Sequence, residues 1–81
     1  MNNLELLSQI AKSKQRNLIK DYQYEMDMFT HIPTRIYIYF FENTPTHIKL
    51  ALQDYFFEEH DIHTTIYKGG EIMHIYLAER L

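Results

Sequence analysis

The sequence predicts an α+β domain in the element order α-β-α-β-β. The expected architecture is a three-stranded mixed sheet ending in a Gly-Gly hairpin. A crossover helix covers one face, and a long N-terminal helix packs on the other face or in a dimer. Three observations lead there. Apolar residues recur at helical spacing through the first thirty positions, "RIYIYFF" (35–41) is β-branched and aromatic throughout, and Gly69-Gly70 separates two alternating segments near the C-terminus.

In the first element, Leu4, Leu7, Ala11, Leu18, Tyr22, Met26 and Phe29 stand three, four or seven apart, the spacing of one helix face. This predicts a helix over 3–28, with Asn2 and Glu5 placed as a capping-box pair. Lys14 and Gln15 interrupt the stripe, so a break near 13–17 is compatible with the pattern. Lys12, Arg16 and Lys20 follow at i, i+4 and i+8 as a basic stripe on another face. "THIPT" (30–34) ends the helix, because the residue before Pro33 disfavours helical backbone.

In "RIYIYFF", Ile36, Ile38 and Phe40 point one way and Tyr37, Tyr39 and Phe41 the other, so both faces of the strand need cover. The second helix spans 42–60. Thr44 is the expected N-cap before Pro45, which suits the first helical position. Ile48, Ala51, Leu52, Tyr55 and Phe56 form its expected core face, while Leu50 and Phe57 lie nearly opposite as a second apolar stripe.

The segment 62–78 forms the hairpin, since a two-residue Gly-Gly loop meets the positive φ a type I′ turn requires. This fixes the register: Tyr67 opposes Ile72, Ile66 opposes Met73, Thr65 opposes His74 and Thr64 opposes Ile75, with His63 opposite Tyr76. The expected sheet order is 1-3-2, with the last and most apolar strand in the centre, and 1-2-3 as the alternative. One sheet face is then aliphatic and lies under the second helix. The other gathers Tyr37, Tyr39, Phe41, His63, Tyr67, Ile72, His74 and Tyr76.

Eighty-one residues make one small domain, 1–81, divided into an N-terminal helical segment (1–30) and a βαββ unit (34–81). The chain has no cysteine, which excludes disulfides, thiolate metal sites and cysteine nucleophiles. Abundant Ile, Tyr, Phe, Asn and Lys reflect A+T-rich coding. No secretory signal pattern and no apolar run near the ~20 residues of a membrane span is present, so a soluble, cytoplasmic protein is expected. The net charge of −3 is uneven: residues 1–20 carry four basic side chains and Glu5, the rest four basic and ten acidic. An acidic body argues against broad phosphate-backbone binding and suits a basic partner.

"EEHDIH" (58–63) invites a metal or acid–base reading. His60, however, belongs at a helix end and His63 on a strand, so they need not converge. His63 and His74, diagonal neighbours on the hairpin, are the weak metal candidates, and they lack a third ligand. No cofactor motif, phosphate loop or nucleophile elbow is present, so no catalytic residue is assigned and a non-enzymatic protein is favoured.

The leading expectation is therefore a small protein-binding or regulatory module, homodimeric, that occludes a surface of a larger partner. Small acidic inhibitors from viral or other mobile elements, of the anti-defence, antitoxin or immunity type, share this size and charge. Its expected contacts are the aromatic face with Leu50 and Phe57, and the acidic group Glu42, Asp54, Glu58, Glu59 and Asp61. The dimer follows from helix length: 26 residues would run ~39 Å, longer than the ~23 Å of a seven-residue strand. The alternatives are a nucleic-acid module using the aromatic face and the basic stripe, or a His-based metal site or small enzyme.

Overall fold

A computed structural model describes residues 2–77. It corrects the expected architecture. The chain runs α1 (Asn3–Gln15), β1 (Asp21–Met26), β2 (Pro33–Tyr39), α2 (Thr46–His60), β3 (Thr64–Tyr67) and β4 (Ile72–Tyr76). The sheet has four strands in the order β1-β2-β4-β3, and every neighbouring pair is antiparallel. There is no long N-terminal helix.

The error at the N-terminus has a local cause. Asn2 does cap α1, its Oδ1 accepting from Glu5 N at 2.8 Å. Asn17 then takes a left-handed backbone, φ 59°. Leu18 N donates to Ser13 O at 2.9 Å and Asn17 N to Lys14 O at 3.0 Å. This is a Schellman stop, with Asn in the position usually held by glycine. Beyond it, "DYQYEM" forms β1 and pairs with β2 through Tyr22↔Ile38 and Tyr24↔Ile36. Tyr22 and Met26 fit a helical spacing, but Tyr22, Tyr24 and Met26 also alternate, and once the helix is stopped the alternation decides. The face of α1 also differs from expectation: Asn3, Leu6 and Ile10 are buried, whereas Leu4 is half exposed.

The other departure is the side on which α1 packs. It lies against β1 and β2, α2 lies against β3, and both cover the aliphatic face. The core is one cluster with Ile36, Ile38, Met73, Ile75 and Leu77 at its centre, each at most 2 % exposed, and Leu6, Ile10 and Phe56 arriving from the helices. The domain thus has two layers, where the expected α/β/α sandwich had three. β2 and β3 both run antiparallel to β4, so they are parallel to each other and need α2 as a crossover. Because β4 lies between them, no parallel pair forms.

Helix α2 is rotated from its expected orientation. Lys49 and Phe56 are buried and Leu52 partly so, while Ile48, Ala51 and Tyr55 face outward. Pro45, not Thr44, is the N-cap, and no side chain caps this end. The helix stops at Asp61, φ 53°, whose N–H donates to Phe57 O at 3.1 Å. The hairpin pairs as its Gly-Gly signal requires, Tyr67↔Ile72 through Thr64↔Ile75. Its turn is broader than two residues, with Lys68, Gly69 and Gly70 all at positive φ. Ala78, the end of the expected last strand, lies outside the described residues.

Asn17 supplies a test of this topology. Asn17→Val should lower stability by about 1–2 kcal/mol in urea denaturation, because a β-branched residue resists left-handed backbone. Asn17→Gly should match or exceed the wild type. An equal loss in both variants would contradict the stop.

Candidate functional site: an uncovered aromatic sheet face

With both helices on one side, nothing among the described residues covers the other face. Strand pairing arranges that face in rows. Gln23, Tyr37, His74 and Thr65 form the middle row; Asp21, Tyr39, Ile72 and Tyr67 lie toward the Gly-Gly turn; Glu25, Arg35 and Tyr76 lie toward the opposite end. Tyr37 and His74 stack with ring centroids 4.9 Å apart and planes 24° from parallel. The Arg35 guanidinium lies 5.3 Å from the Tyr76 ring centroid. Tyr39 Oη donates to Gln23 Oε1 at 3.0 Å. Ile72 is only 8 % exposed although it lies on this open side, whereas Tyr76 is 43 % exposed.

The face carries both signs of charge. Arg35 Nε is 3.9 Å from Glu25 Oε2, across the registered pair Glu25↔Arg35. At the edge, Asp21 is engaged by Lys14 at 2.9 Å; that contact, with the Tyr22 amide, holds its carboxyl below the ordinary carboxylate range. His74 is depressed below the usual imidazole range, chiefly by burial and then by Arg35, with Glu25 opposing. Its Nε2 is buried and has no hydrogen-bond partner. A neutral imidazole stacked on Tyr37 is therefore the stable state of this site.

Several expected site residues lie elsewhere. His63 precedes β3 and packs against Phe57, ring centroids 5.0 Å apart, so it does not extend the aromatic rows. His60 instead shares a 3.1 Å hydrogen bond with Tyr55 Oη. The two histidines of "EEHDIH" thus have different neighbours. No three His, Asp or Glu side chains among the described residues are grouped as metal ligands. Phe41 lies beyond the end of β2, in a turn where its carbonyl accepts from Thr44 N. Lys12, Arg16 and Lys20 do not form a helical stripe, because α1 ends at Gln15; Lys20 instead donates its N–H to Tyr39 O at 2.8 Å.

Further apolar surface lies on the helix layer. Two stripes flank the buried face of α2, Ile48 with Tyr55 on one side and Leu50 with Phe57 on the other, each residue about half exposed, with exposed Asp54 and Glu58 on the outward side between them. Leu50 and Phe57 form the surplus stripe expected from their spacing; Ile48 and Tyr55, expected in the core, form a separate exposed stripe because the helix is rotated. Glu42 and Asp61 flank α2 at its two ends and are also exposed. The residues missed by spacing alone are Arg35 and its partner Glu25. Arg35 stands two before Tyr37 and so belongs to the same face, but Glu25 could be placed only once β1 was a strand.

His74 gives a pH signature. Its pKa is lower in the folded chain than the unfolded value near 6.5. Its contribution to stability is therefore full above about pH 6.5 and is lost as pH falls through the depressed folded value. His74→Phe should flatten the fall in the urea midpoint between pH 7.5 and 5.5. An unchanged slope would remove His74 as the cause.

Comparison with protein-family models, with curated proteins and with solved structures finds no match for this chain. No helix of the described residues is long and apolar enough to cross a membrane.

Proposed function

We propose that this protein is a small non-enzymatic binding module. It dimerises through the open sheet face and presents α2 to a larger, basic protein partner whose surface it occludes, in the manner of an acidic inhibitor from a mobile element. One observation carries this reading: two helices on one side of a four-stranded sheet leave apolar residues exposed on both sides of the domain, in the aromatic sheet rows and on the two flanks of α2.

The sheet face suits a second copy. Its charge is balanced by the Arg35–Glu25 pair and, at the edge, by Lys14 on Asp21, so packing it on itself brings together no excess of like charge. Two such sheets stack about 10 Å apart with aromatic side chains interleaved. A twofold axis would place the same patch on both copies. The dimer then turns both α2 helices outward, where aromatic and aliphatic anchors sit beside Asp54, Glu58 and Glu59. Apolar anchors in a charged rim are the usual anatomy of a protein interface, and the acidic rim selects a basic surface.

The second reading is single-stranded nucleic acid on the Tyr37–His74 stack, which offers a flat aromatic platform. The one cation in these rows, Arg35, already faces Glu25, and that weighs against it. A steep salt dependence of retention on single-stranded DNA or RNA would favour this reading over the first.

Sedimentation equilibrium should give twice the chain mass for the wild type. Tyr37→Glu should sediment as a folded monomer, because it places a carboxylate at the centre of the stacked sheets. A monomeric wild type at every concentration would remove the dimer. Separately, neutralising Asp54, Glu58 and Glu59 together should weaken capture of the partner from source-cell extract at least several-fold. Unchanged capture would contradict the electrostatic part of the reading.

A further inference from the structure

Lys49 is the one lysine of the described residues buried in the fold, at 9 % exposure. Its ammonium lies 5.4 Å from the centroid of the Phe40 ring. Among the described residues it has neither a carboxylate nor a hydrogen-bond acceptor as partner. Its stem is buried while its ammonium reaches the surface, unpaired and free to meet an anion.

The surroundings are built around that charge. Lys49 lines an open depression of about 540 Å³ between the start of α2 and the β3–β4 turn. At the turn, a Cβ on Gly70 would stand 3.0 Å from Lys49 Nζ, and the φ of +89° there independently favours glycine. On the helix side, α2 begins with Pro45 as N-cap, no capping side chain and no acidic residue in its first turn. The positive end of the helix dipole is therefore uncompensated beside the lysine. Thr64, in the same lining, carries a buried hydroxyl with no partner. Thr46, Gln53, Thr65 and Gly69 add neutral lining and Leu50 and Ile66 apolar lining, and no acidic residue lines it.

We propose that this depression is an anion site taking a carboxylate on a short aliphatic group, with Lys49 as its charged contact. A single ammonium matches a monoanion, and Leu50 and Ile66 suit the carbon chain behind it. Such a carboxylate comes from a small organic acid or from the free C-terminus of a peptide. The site touches the sheet rows only through Thr65 at their β3 edge, and it does not depend on the proposed dimer.

The test is an amide NMR titration of the full chain at constant ionic strength. Sodium butyrate is added in one arm. A short peptide ending in an aliphatic residue, as free acid and as C-terminal amide, is added in the others, with sodium chloride as control. Saturable shifts centred on Thr46, Lys49, Gly69 and Gly70 are expected with the carboxylates and not with chloride. Binding of butyrate as tight as the acid peptide assigns a small-acid site. Binding of the acid peptide tenfold or more tighter, lost in the amide, assigns a peptide C-terminus. Lys49→Met should weaken either by about tenfold or more. Wild-type shifts that are absent, scattered over the surface or matched by chloride would overturn the site, as would unchanged affinity in a folded Lys49→Met variant.

Discussion

The pairing of β2 with β4 holds this fold together. It brings Ile36 against Ile75 and Ile38 against Met73, four side chains that are almost wholly buried. It is also the seam between the N-terminal α1-β1-β2 part and the C-terminal α2-β3-β4 part. Each part offers two strands and one helix with a partial apolar face, and such a unit is marginal alone. Joined, they make one four-stranded sheet with a shared core, and the helices lie side by side because each packs on its own half of the aliphatic face. Shortening one of these four side chains to alanine removes packing from both halves, a change of about 2–5 kcal/mol.

That arrangement decides what remains uncovered. Alternation along β2 and β4 sends Ile36, Ile38, Met73 and Ile75 to the helices, and Tyr37, Tyr39, His74 and Tyr76 to the other side. The aromatic rows are therefore a direct consequence of the core pairing, and neither helix reaches them. The rings partly shield one another, which explains the burial of Ile72 between Tyr39 and Tyr67. The balanced charge of this surface and the acidic remainder of the chain are the grounds for proposing a protein partner over phosphate.

Much of the C-terminal half was legible in the sequence. Gly69-Gly70 set the hairpin register, and the alternating hydrophobic pattern sorted the residues of β3 and β4, though not His63, onto two faces. The central place of the last strand followed from its apolar character. The N-terminal half was not legible in the same way, because Tyr22, Met26 and Phe29 satisfy a helical period while Tyr22, Tyr24 and Met26 satisfy a strand period. Asn17 resolves the conflict, yet asparagine adopts left-handed backbone too rarely for one residue to be decisive. The orientation of α2 was misjudged because its apolar spacing was read without Lys49, which is buried. Its stem is buried and its ammonium lies beside Phe40 and Gly70, an arrangement open to a long side chain but invisible to a hydrophobic pattern. The aromatic residues of the candidate site were found for the same reason the strands were. Their cover was misread, because the long N-terminal helix expected for the task does not form.

In the proposed dimer, the aromatic sheet face left open by the single chain is covered by a second copy. Solvent paramagnetic relaxation of the ring protons of Tyr37, Tyr39, Tyr67, His74 and Tyr76, followed from micromolar to millimolar protein, tests this most directly. The account predicts strong attenuation in dilute samples that fades together across these rings as concentration rises. Protection at every dilution down to where sedimentation gives a monomer would mean that the chain covers the face itself. Attenuation undiminished at every concentration would mean that no second copy binds there.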